Sequence, residues 1–78
     1  MRNLIELFSR NWDFTVYKLN DKKVITVIFF DRIDYPRTFQ LSQDEGNLSF
    51  EDFISLADKI RNNYEIYKRV EIIPPILE

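Results

Sequence analysis

The chain has 78 residues, a formal charge of −2, no cysteine, no histidine and one glycine. That inventory excludes disulfides, removes the usual ligands of zinc and haem, and rules out Ser-His or Cys-His nucleophiles and glycine-rich phosphate loops. With 45% hydrophobic and 15% aromatic residues, the composition is that of one folded domain over residues 1–78, held together by apolar burial rather than by covalent or metal staples.

Residues 2–10 set Leu4, Leu7 and Phe8 at i, i+3, i+4 spacing, which predicts a short amphipathic N-terminal helix of two to three turns. The start Met1-Arg2-Asn3 leads into a stretch broken by Glu6 and Arg10, so no secretory signal is read and a cytoplasmic address is expected. No apolar run approaches membrane-spanning length.

From Trp12 to Leu19 the period becomes two, with Phe14, Val16 and Lys18 on one face and Thr15, Tyr17 and Leu19 on the other. Asn20-Asp21-Lys22-Lys23 then reads as a hairpin turn. Val24–Phe30, VITVIFF, is the most informative stretch of the chain. It is uncharged and apolar in both alternating sets apart from Thr26, so it predicts a central strand covered on both faces. A loop from Asp31 to Arg37 follows, and Thr38–Ser42 alternates again, with Phe39 and Leu41 inward. Pro36 is compatible with the start of a strand but not with the middle of a sheet. The expected core is a three-stranded antiparallel meander.

Ser49 begins the best-marked helix. It is an N-cap type, Asp52 follows three residues later, and Phe50, Phe53, Ile54, Ala57, Ile60 and Tyr64 form an apolar stripe. Lys59 and Arg61 favour the helix's carboxyl end, and Asn62-Asn63 is its exit, giving a long helix at about 49–63. The segment 44–58 holds five acidic residues and no basic one; capping and the preceding loop account for most of that charge. Residues 64–73 fit either a continued helix or an extended segment, with the extended fourth strand favoured. Pro74-Pro75 ends regular structure. The fold class is therefore α+β, a meander packed against one long and one short helix. The long helix covers one sheet face. The terminal segments are expected to close the other, with a homo-oligomer formed through that second face as the rival.

Few residues are left for chemistry. Asp31 and Asp34 have D-x-x-D spacing, which serves magnesium or acid–base chemistry but is commoner in turns, where aspartate bonds local backbone. No catalytic, metal or cofactor site is assigned, and the chain is not read as an enzyme. Arg32, Tyr35 and Arg37 are of the types that dominate interface hot spots, beside a stiffening Pro36, and form the candidate partner-binding set. The competing reading pairs these arginines with Asp31 and Asp34 as a solvated charge cluster. The expected function is a small non-catalytic protein-binding module, of the kind represented by inhibitors or immunity proteins that occlude a larger protein.

Nucleic-acid binding is the alternative. The expected order of helix, three strands and helix resembles the topology of double-stranded-RNA-binding domains. The resemblance implies a lysine-rich start to the second helix facing phosphates, where this chain has Glu51 and Asp52. A basic route would instead use Arg2, Arg10, Lys18, Lys22 and Lys23 in the N-terminal third.

Overall fold

The structure, a computed structural model, describes residues 4–30 and 34–76. Five strands form one antiparallel sheet in sequence order: β1 (Leu4–Arg10), β2 (Phe14–Leu19), β3 (Lys22–Phe30), β4 (Asp34–Gln40) and β5 (Glu71–Ile72). The uncharged run lies in β3, the middle strand, with Ile25 between Val16 and Phe39 and Val27 between Phe14 and Arg37. Helix α1 (Phe50–Asn62) packs across one face. A second helical turn, α2 (Tyr64–Tyr67), and a 3-10 turn at Lys68–Val70 lead into β5.

The expected N-terminal helix is a strand over its described part. Leu4, Glu6 and Phe8 pair with Leu19, Tyr17 and Val16, and the register shifts between Glu6 and Phe8. That bulge explains the helix-like spacing. In a regular strand, residues four apart share a face; the extra residue puts Leu4 beside Leu19 on one face and Phe8 against the Phe53 ring on the other. A helix of two turns is marginal alone, whereas the open edge of β2 offers a full ladder of hydrogen bonds. With β1 a strand, the order that resembled double-stranded-RNA-binding domains is lost.

Two other boundaries move. β4 begins at Asp34, so Tyr35 and Arg37 lie on a strand rather than in a loop, and Pro36 sits opposite Ile28. Residues 64–73 are helical turns first and extended only at Glu71–Ile72, where β5 meets Thr38 and Phe39. The long helix matches its prediction: the Ser49 hydroxyl accepts from the Asp52 N–H at 3.2 Å, and Asn63 closes the far end. Ser42 and Glu45 form a second, reciprocal box just before it, each side chain accepting from the other's backbone N–H.

The core divides across the sheet. Phe14, Val16, Ile25, Val27 and Phe39 meet Phe53, Leu56, Ala57 and Ile60 on the helix side. On the second face Tyr17, Val24 and Ile76 form a smaller cluster, with Leu4, Leu19 and Ile72 against it. Among the described residues the cover comes from the C-terminal tail and reaches only part of β3: Val24 to Val27 are buried, Ile28 and Phe29 half-buried, and Phe30 is 56% exposed.

Candidate functional site

In a meander, alternate hairpin turns share an end. The β1–β2 turn, the end of β3 at Phe30 and the start of β4 at Asp34 therefore lie at one end of the sheet, opposite the Asn20-Asp21 turn. That end gathers Trp12, Phe30, Asp34 and Tyr35, together with the carboxyl end of α1.

Trp12 occupies the tip. The Asp13 N–H donates to the Arg10 carbonyl at 3.1 Å, closing a β-turn whose third residue is Trp12. Its φ is +62°, the region that such turns usually fill with glycine or asparagine. The side chain is 74% exposed. Phe30 ends β3 nearby in the fold, with the Arg61 guanidinium 5.1 Å from its ring centre.

Arg61 clips this end to the helix. Its Nε donates to the Ile28 carbonyl at 2.7 Å, its Nη2 to the Asp13 carbonyl at 2.7 Å and to the Asp13 carboxylate, and its Nη1 to Asp58 at 2.8 Å. The Asp13 carbonyl also accepts the Ile28 N–H at 2.9 Å. One guanidinium thus ties the β1–β2 turn and β3 to α1, a use of the planar fork that lysine cannot reproduce.

Arg37 makes a second anchor. Its guanidinium lies 4.5 Å from the Tyr64 ring centre, 4.9 Å from Tyr35 and 5.6 Å from Phe29. Nη1 donates to the Tyr64 hydroxyl at 3.0 Å and to Glu71 Oε2 at 2.9 Å, and the Tyr64 hydroxyl donates to Glu71 Oε1 at 2.6 Å. The Glu71 side chain is only 6% exposed, so its carboxylate is shielded, whereas the Arg37 side chain is 29% exposed. Hydrogen bonding to Glu71, and then burial, holds the Tyr64 hydroxyl above its ordinary pKa. Between the two anchors runs an open groove of about 270 Å³ lined by Phe29, Phe30, Tyr35, Arg37, Arg61 and Tyr64.

Of the expected contact residues, Arg32 and the neighbouring Asp31 lie outside the described residues. Tyr35 and Arg37 come together: the Tyr35 ring stacks on Phe29 at 6.0 Å and beside the Arg37 guanidinium. Arg37 takes Glu71 as its carboxylate partner, a pairing 34 residues apart that no local pattern announces. Phe30 and Arg61 lie outside the expected set; Trp12 and Tyr17, whose types suit a contact face but which are expected in the core or at a sheet edge, divide, with Tyr17 buried and Trp12 74% exposed. Asn11-Trp12-Asp13 between two apolar runs was the available sign of a hairpin tip. Among the described residues, no cluster of carboxylates is placed to hold a metal ion, and no helix is long and apolar enough to cross a membrane.

No protein-family model, curated protein or solved structure matches this chain.

Proposed function

We propose that the chain is a small non-catalytic protein-binding module that docks on a larger protein through the aromatic end of its sheet. Trp12 is the anchor, Phe30 and Tyr35 widen the contact, Arg37 contributes from β4, and Arg32 belongs to the set on residue type alone. The observation that carries the reading is the tryptophan at the hairpin tip. A bulky side chain in the left-handed region costs roughly 1–2 kcal/mol, and here it gains little burial in return. Strained, exposed aromatics of this kind are what a contact surface uses and a stability-driven turn avoids. The rigid sheet presents the turn with little ordering left to lose on binding.

The test compares capture of a stoichiometric protein from source-cell lysate by the native chain and by Trp12→Asn. Asparagine suits the turn, so the variant keeps its fold while losing the anchor. Retention should fall at least tenfold; undiminished capture by the folded variant overturns the reading. Replacing Arg37 is a poorer test, because it strips the partner from shielded Glu71 and confounds binding with stability.

A further inference from the structure

The tail on the second face is held by a closed ring of hydrogen bonds. The Ile76 N–H donates to Thr38 Oγ1 at 2.7 Å, and Thr26 Oγ1 donates to the Ile76 carbonyl at 2.8 Å. Thr26 has thereby used its only proton, so the 2.8 Å bond between the two hydroxyls is donated by Thr38. Both threonines are buried, on the central strands β3 and β4, and the Ile76 side chain, 2% exposed, fills the space beside Tyr17 and Val24. Both backbone groups of one residue are read, together with one aliphatic side chain. The sheet therefore holds this one extended residue by its main chain as well as by its side chain.

Two features set this contact apart from ordinary packing. Ile73, three residues before, is 79% exposed, so Ile76 docks at the end of an arm. The face also continues beyond the tail. A groove of about 140 Å³ runs from Tyr17 and Thr26 past Thr15 and Ile28 to Trp12, joining Thr26 to the exposed anchor.

We infer that the Thr26–Thr38 pair is a peptide-docking site, that its native occupant is an extended segment of the partner protein carrying an aliphatic residue, and that the chain's own tail is a strap filling it in cis until the partner arrives. The partner's class is taken from the protein-binding reading. The site rests on the Thr26–Thr38 geometry: Trp12→Asn tests the protein-binding reading, whereas substitutions at Ile76 and Thr38 test the strap.

The probe is a fluorescent synthetic peptide of residues 73–78, titrated against the full chain and its Ile76→Asp variant. A charge at position 76 expels the strap from an apolar seat, so the variant should bind the peptide at least tenfold more tightly than the native chain, with one peptide per monomer. Adding Thr38→Val, which removes the acceptor for the peptide N–H, should weaken binding at least fivefold. Equal affinity of native and folded Ile76→Asp chains overturns the proposal, as does indifference to Thr38→Val. Light scattering that shows a native dimer exchanging tails and refusing the peptide also overturns it, since the occupant is then a second copy. If Ile76→Asp does not fold, amide hydrogen exchange on the native chain decides. The Ile76 N–H should exchange at least a hundredfold faster than the amides of Ile25 and Val27; exchange only with those core amides means that the strap never opens and the proposal fails.

Discussion

At the scale of single residues, two side chains carry energies that can be read separately. Trp12 sits where the backbone prefers asparagine or glycine. Trp12→Asn should therefore raise the urea midpoint by an amount equivalent to about 0.5–1 kcal/mol, even as it removes the proposed anchor. Loss of stability would mean that the indole packs more than its exposure indicates. Tyr64 makes a pH prediction. Its hydroxyl donates to Glu71 and its folded pKa lies above the ordinary value near 10. A proton held more tightly in the folded state stabilises it in full below the unfolded pKa, and that contribution is lost as pH rises through the folded one. Melting temperature should accordingly fall above about pH 10, and Tyr64→Phe should flatten that limb. Parallel alkaline limbs in the two proteins would show that the Tyr64–Glu71 bond does not report on folding.

At the scale of elements, Arg61 shows how a helix end is tied to a sheet. Arg61→Ala strips hydrogen bonds from the Ile28 carbonyl and a half-shielded Asp13 carboxylate. The expected cost is about 2–3 kcal/mol, below the range for a fully buried pair. That corresponds to a fall of roughly 8–24 °C in melting temperature for a domain of this size. Arg61→Lys should recover little of it, because an ammonium cannot reach all four of these acceptors at once. A full rescue by lysine would reduce the clip to simple charge. Arg61 also marks where the sequence stopped being legible. Helix α1, its Ser49 cap and the β2–β3 hairpin were readable because their signals are local: a capping residue, a 3.6 period, a polar turn. β1 was not, because a bulge at Leu7 turned an alternating strand into a helix-like spacing. The 64–73 segment failed for a different reason. Its ring at Tyr64 packs on Phe29 and Phe39, far away in sequence, while Ile66, Val70 and Ile73 stay exposed and form no apolar face. The candidate site was half legible: Tyr35 and Arg37 were found by residue type, while Glu71 and Arg61 join it only through folding.

At the scale of the molecule, the two cores should respond differently to the same kind of damage. Phe53 is fully buried between α1 and the sheet, touching Phe8 and Phe14, and nothing short of unfolding releases it. Phe53→Ala should cost about 3–5 kcal/mol, a large part of the roughly 4–12 kcal/mol available to a domain of this length. Ile76 is almost as well buried, and by area alone Ile76→Ala belongs in the same class. A tail that can leave while the sheet stays folded obeys a different limit, because a mutation in it cannot destabilise the rest by more than the free energy of docking the tail. The shift in urea midpoint for Ile76→Ala should therefore be less than half that for Phe53→Ala, with the same slope. Equal shifts would make the tail an integral part of one cooperative core. They would also remove the basis for a strap, since a segment that detaches only on global unfolding cannot yield its seat to a partner.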